Sequence, residues 1–135
     1  MHRTAIHVRW AELDPYHHVN HATYLSYLEH ARISALEDIS SGMDVLAAQG
    51  FQVVVVRVDV RFITPATAGD ELVISSAVAS IGASASTWHQ RVDRGTDRIL
   101  DATIEAACTD LAGRPVRMPP GLRAGLQTLI EAARE

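Results

Sequence analysis

The chain has 135 residues, of which 47% are hydrophobic and 21% charged, with 8 Gly and 5 Pro. That mix excludes a disordered, collagen-like or disulfide-built chain and predicts one globular domain over residues 1–135. Twelve basic residues against sixteen acidic ones leave a net charge of −4, which argues against nucleic acid or an anionic membrane as partner.

All twelve basic residues are Arg. Cys108 is the only cysteine, so no intrachain disulfide can form, and it sits in a run that reads as a packed strand. No stretch approaches the ~18 apolar residues of a membrane span and the first residues lack a signal-peptide pattern, so a cytoplasmic protein is expected.

Taken in chain order, Thr4 to Glu12 alternates around Ile6, Val8 and Trp10 and predicts a half-buried first strand. Asp14-Pro15 stops it, because proline restricts the residue before it and cannot donate to a ladder, so Asp14 to Asn20 reads as a loop or short helical turn. From His21 to Ser41 there is no Gly or Pro, and polar Ser26, His30, Ser34, Glu37 and Ser41 form one stripe on an otherwise apolar helix. Such a helix asks for burial on several sides. Gly42 reads as its C-terminal cap, with a short second helix over Met43–Gln49.

After Gly50 the character turns to β. Phe51–Ile63, Leu72–Ser80, Ser84–Asp93 and Arg98–Leu111 read as strands, joined by turn segments at Thr64-Pro65, Gly69-Asp70, Ile81-Gly82 and Arg94-Gly95. The short spacers predict antiparallel meander connections. A shorter helix is predicted over Gly121–Arg134. The sum is an α+β chain: a curved antiparallel sheet of about five strands wrapped around one long helix, with no internal repeat. Exposed sheet edges invite a second copy, so a homodimer or homotetramer is expected.

The densest group of titratable side chains is Asp14-Pro15-Tyr16-His17-His18-Val19-Asn20-His21, between a strand end and a helix start. A helix N-terminus offers unpaired N–H groups and a positive dipole end, where a developing oxyanion can be held. A carboxylate at Asp14 facing those amides suits acyl transfer to water. The bland alternative is a turn aspartate and a capping residue. His17, His18 and His21 are a possible metal set, but no HExxH pattern supports it and Pro15 argues against a helix through His17, so no metal or other cofactor is expected. His18 reads as a loop-shaping or ligand-contacting residue, and His21 as the donor of a backbone N–H.

The segment from Val8 to Arg32, with Asp14, His18-Val19-Asn20, Tyr24 and Glu29-His30-Ala31-Arg32, resembles the signature of hotdog-fold acyl-CoA thioesterases of the 4-hydroxybenzoyl-CoA thioesterase class. Phe62-Ile63-Thr64-Pro65, Gly69-Asp70-Glu71-Leu72 and Asp110 to Pro119 extend the likeness over nearly the whole chain. The resemblance implies hydrolysis of an acyl thioester, acyl-CoA or acyl-carrier protein, to a free acid and thiol. It places the catalytic aspartate at Asp14, as base or nucleophile, the oxyanion amide at His21, and a pocket tyrosine at Tyr24. His17 stands where such proteins often have Gly. His17, His18, Asn20 and Tyr24 are the candidates for contacting substrate. A CoA substrate carries phosphates that Arg suits, with Arg114 and Arg117 the candidates and Arg61 and Arg91 behind them. Glu29 and Arg32 are spaced to pair on the helix. Two other functions fit the same residues: an enoyl-thioester hydratase or dehydratase using Asp14 with His17 or His18, and a non-catalytic acyl-thioester-binding module.

Overall fold

A computed structural model of the chain describes residues 1–130. Its elements run β1 (His2–His7), α1 (His21–Asp38), α2 (Met43–Ala48), β2 (Phe51–Phe62), β3 (Glu71–Ile81), β4 (Ala85–Arg94), β5 (Asp97–Asp110) and α3 (Pro120–Thr128). The five strands form one sheet in the order β1-β3-β4-β5-β2, and every neighbouring pair is antiparallel. This is the α+β hotdog arrangement that the sequence predicts.

The core lies between α1 and the sheet. Tyr24, Tyr27, Leu28, Ala31, Ala35 and Leu36 recur at helical spacing on the buried face of α1. They join Leu72, Ile74, Val78, Trp88, Val92, Leu100 and Ile104 from alternate strand positions. One polar residue is built into this packing. Gln90 is fully buried, accepts a bond from Arg32 Nη1 (2.9 Å), and donates to the Leu28 carbonyl (3.0 Å) and Ser76 Oγ (2.9 Å). With its amide satisfied, Gln90 fixes the helix against the sheet at one height. Arg32 makes its hydrogen bond to Gln90, and Glu29, the partner that the spacing suggests, acts on it through charge alone.

The structure departs from the predicted elements at four further places. The meander holds for β3-β4-β5, but β2 joins the far edge beside β5, while β1 takes the position next to β3. Residues 63–70 cross the end of the sheet to connect β2 to β3. Eight residues reach about 26 Å, ample for three strand spacings of about 14 Å, so the connection permits either order. The first strand ends at His7 because Arg9 and Glu12 bond reciprocally. The Glu12 N–H donates to the Arg9 carbonyl (3.0 Å) and the Arg9 N–H to the Glu12 carboxylate (2.9 Å). That 3-10 turn breaks the alternation and turns Trp10 outward, 80% exposed. α1 stops at Asp38, and Ser40 rather than Gly42 takes the left-handed conformation, with φ 59°. Gly42, at φ −60°, opens α2 instead, in a space where a Cβ would lie 3.2 Å from Glu37 Cγ. α3 begins one residue early and ends at Thr128; the part of the predicted helix beyond residue 130 lies outside the described residues.

Candidate active site

Leu13 and Val19 bridge antiparallel to one another and close a five-residue loop over residues 14–18. The Asp14 N–H donates to the His18 carbonyl (2.7 Å), and the His17 N–H donates to the Asp14 carbonyl (3.0 Å). Asp14 Oδ1 accepts from the N–H groups of Tyr16 (2.8 Å) and His18 (3.1 Å). So tight a loop needs a left-handed residue, and His17 supplies it at φ 63°. This is how the chain accommodates an imidazole at that point.

Neighbouring segments hold the loop from both sides. The Val19 N–H donates to the Ala66 carbonyl (2.8 Å), and Thr67 Oγ1 donates to the His17 carbonyl (2.9 Å). The Asn20 N–H bonds the Glu12 carbonyl (3.0 Å), and Asn20 Oδ1 caps α1 by accepting from the Ala22 N–H (2.9 Å). Two groups are left over. Asp14 Oδ2 and the His21 N–H make no hydrogen bond to the described residues.

Both residues line a groove of about 310 Å³. It is lined by Asp14, His18, Val19, His21 and Tyr24 and by the segment from Phe62 to Pro65. His21 and Tyr24 stand one turn apart on α1. The Phe62 ring meets both, with centroids 5.5 Å from each, edge-on to His21 and tilted to Tyr24. Asp14 and the first turn of α1 thus border one space together with the Phe62 ring.

Two polar clusters set the shape of this site from behind. Glu12 accepts from the Arg9 guanidinium (2.6 Å) and from the Tyr27 hydroxyl (2.7 Å). Burial acts to raise the Glu12 carboxyl, but the bonds from the Arg9 side chain, the Arg9 N–H and Tyr27 outweigh it and hold the carboxyl down at about 2. Burial, followed by that bond to Glu12, raises the Tyr27 hydroxyl well above its ordinary value. This pair ties the start of the Asp14 loop to the second turn of α1. In the second cluster, Arg94 Nη1 donates to Asp70 Oδ2 (2.8 Å) and to the Pro65 carbonyl (3.2 Å), while Asp70 Oδ2 accepts from the Thr67 N–H (2.9 Å). Burial opposes the charge on Asp70; Thr67 and Arg94 prevail and lower its carboxyl. The segment so braced carries Ala66, whose N–H donates to the Tyr24 hydroxyl (3.1 Å). Burial raises the Tyr24 hydroxyl, so it stays protonated.

Of the predicted residues, Asp14, His18, His21 and Tyr24 come together on the groove. His17 and Asn20 are adjacent in sequence but do not line it; His17 is exposed and Asn20 is spent as the cap. Arg114 and Arg117 lie elsewhere. They follow the end of β5 at Asp110, which pairs with Phe51, whereas the groove's Phe62 pairs with Leu100. Ten residues of strand separate the two ends, roughly 33 Å. The Arg114 side chain is 81% exposed, with Nε 3.4 Å from Asp110 Oδ2. Arg61 and Arg91 flank Asp101 in a separate polar pocket of the sheet. Among the described residues no three His, Cys, Asp or Glu side chains are grouped to hold a metal ion, and no helix is long and apolar enough to cross a membrane.

The sequence ties Phe62 to Pro65 to the family likeness but not to the site, and it does not reveal the clusters behind it. A signal for Glu12 existed in its three-residue spacing from Arg9. Tyr27 and Arg94 gave none, since their partners are 15 and 24 residues away.

Residues 8–126 match the thioesterase-like superfamily. The long-chain acyl-CoA thioesterase FadM of Escherichia coli is 31% identical over 96% of this chain and 99% of its own length. The chloroplastic acyl-acyl carrier protein thioesterase ATL3 of Arabidopsis thaliana is 29% identical over 90% of this chain, which spans 65% of that longer protein. A thioesterase of Thermus thermophilus, solved in complex with coenzyme A and Zn, superimposes with a TM-score of 0.82 at 30% identity, covering 95% of this chain and 92% of that one.

Proposed function

The chain belongs to the thioesterase-like superfamily and hydrolyses acyl thioesters, and we propose that it does so on acyl-CoA, with Asp14 and the His21 N–H acting on one carbonyl. The observation that carries this reading is that Asp14 and His21, whose Oδ2 and backbone N–H the loop leaves unbonded, line the same groove. As a base, Oδ2 takes a proton from water while the water oxygen adds to the thioester carbon. The carbonyl oxygen becomes an oxyanion and accepts the His21 N–H, at the positive end of α1. Collapse expels the thiolate, which recovers the proton, leaving a free acid and a thiol. As a nucleophile, the same oxygen adds to the carbon and expels the thiolate, giving a mixed anhydride; water then cleaves the anhydride to the free acid and the regenerated Asp14 carboxylate, and the proton it releases neutralises the thiolate. Both routes use the same two groups. His18 and Tyr24 border the bound thioester.

CoA is favoured over a carrier protein by the relatives that this chain matches along nearly their whole length: one is an acyl-CoA thioesterase and the other was solved with coenzyme A. The working unit in this reading is a homodimer paired along β2. That strand is twelve residues long, has one neighbour in the sheet, and leaves Val55, Val56 and Val58 exposed. Thiol release from a panel of acyl-CoA and acyl-carrier-protein thioesters tests the substrate. Release from acyl-CoA at low micromolar enzyme is expected; turnover confined to the carrier-protein substrates contradicts the choice of CoA, and no release from either contradicts the hydrolase.

A further inference from the structure

Tyr24 and Tyr27 stand one turn apart on the buried face of α1, their rings edge-on with centroids 6.0 Å apart. They spend their hydroxyls differently. The Tyr27 O–H donates to Glu12 Oε1 (2.7 Å), whereas the Tyr24 oxygen accepts the Ala66 N–H (3.1 Å) and its own O–H has no acceptor among the described residues. Tyr24 is 4% exposed, so bulk water is a poor substitute for that acceptor. Buried donors are paired in folded proteins, and one left over calls for a partner that the chain itself does not supply.

The hydroxyl is anchored beside the Asp14 groove. Ala66 donates to it and accepts the Val19 N–H (2.8 Å), so Tyr24 meets the loop where Val19 and Pro65, two lining residues, come together. Tyr24 lines the groove with Asp14 and His21. A helical side chain leans toward the N-terminus, which lays the Tyr24 ring over the turn that opens at His21. The Phe62 ring meets the rings of both residues, 5.5 Å from each. Burial raises the Tyr24 hydroxyl above its ordinary value and the Asp14 charge adds to the rise, so the group keeps its proton and can only share it.

We infer that the Tyr24 O–H is a second hydrogen-bond donor to the thioester carbonyl oxygen, beside the His21 N–H. The inference rests on the acyl-CoA reading above. As the carbon becomes tetrahedral its oxygen takes up negative charge, and a donor already in place strengthens its bond at that moment. The bond from Ala66 holds the hydroxyl in advance, and Arg94, through Asp70 and the Pro65 carbonyl, braces the segment that carries Ala66. No proton leaves Tyr24 at any step, so the transfers among water, Asp14 and the thiolate are unchanged.

The test compares binding of two hexanoyl-CoA analogues that cannot be hydrolysed: a ketone with methylene in place of the sulfur, and the hexyl-CoA thioether, which lacks the carbonyl. In Tyr24→Phe the ketone-to-thioether affinity ratio is expected to fall about threefold to tenfold, with kcat for hexanoyl-CoA lower by about 10²-fold. Site-specific 3-fluorotyrosine at position 24, a stronger donor of nearly the same shape, is expected to raise the ratio, and it carries the test should Tyr24→Phe not fold. A tyrosine that only supports the fold moves both affinities together. A ratio unmoved in the folded variants overturns the donor, as does the absence of ketone binding or a wild-type kcat in Tyr24→Phe. Thiol release by the wild type is scored separately: its failure with the ratio still shifting overturns the hydrolase and leaves the carbonyl contact standing.

Discussion

At the residue scale the site depends on how Asp14 divides its two oxygens. Oδ1 is committed to the N–H groups of Tyr16 and His18, and Oδ2 is free. The turn bonds of Oδ1 are those of an ordinary turn aspartate, and they leave Oδ2 for the catalytic part proposed for it. Asp14→Ala removes two loop bonds along with the charge, each worth about 1 kcal/mol, whereas Asp14→Asn keeps an acceptor at Oδ1. That Asp14, His18, His21 and Tyr24 would meet around one groove is legible in the sequence because they are local in it. For Glu12 only the spacing from Arg9 is visible there, and its bond from Tyr27 across the fold is not. Its carboxyl, ordinarily near 4.5, is held at about 2. A depressed carboxyl contributes stability that is complete above its unfolded value and is lost as pH falls through the folded one. Acid unfolding of the wild type should therefore steepen between about pH 5 and pH 2, and Glu12→Gln should be less stable at pH 7 with a flatter curve across that window. Parallel curves followed by circular dichroism would contradict the clamp.

At the element scale, helices and strands were readable from period and turn chemistry, while strand order was not. Residues 63–70 can reach either sheet position, so nothing local reveals that β2 pairs with β5 rather than β3. The end of α1 was misread for a related reason. Gly42 looked like a left-handed cap, but its lack of a side chain serves the close approach of Glu37 and Asp44. A similar closeness exists where α3 crosses the end of α1: a Cβ on Gly125 would lie 2.7 Å from Ile39 Cδ1 and 3.0 Å from Ile39 Cβ. Gly125→Ala gains helix propensity of about 1 kcal/mol but overpacks this contact at a cost of about 1–3 kcal/mol. The expected net is a lower urea midpoint, relieved when Ile39→Val is added. A higher midpoint for Gly125→Ala alone would show that the two helices have room to part.

At the scale of the whole molecule, the apolar surplus of α1 and β2 is what one chain leaves unburied. The sequence asked for a helix covered on several sides; in this chain the sheet covers one face, and Leu25, Val55, Val56 and Val58 remain exposed beside the unpaired β2 edge. Light scattering should give twice 14.7 kDa for the wild type, and Val56→Lys, which puts a charge on that edge, should shift the chain toward monomer. A monomeric wild type would contradict the proposed pairing. The claim on which the account turns is narrower: that Asp14 Oδ2 and the His21 N–H work on one thioester carbonyl. The measurement closest to it is thiol release from an acyl-CoA by wild type and Asp14→Asn side by side, with thermal unfolding of each. The account predicts a loss of about 10²–10⁴-fold in kcat with the unfolding midpoint nearly unchanged; wild-type turnover by a folded Asp14→Asn chain would contradict it.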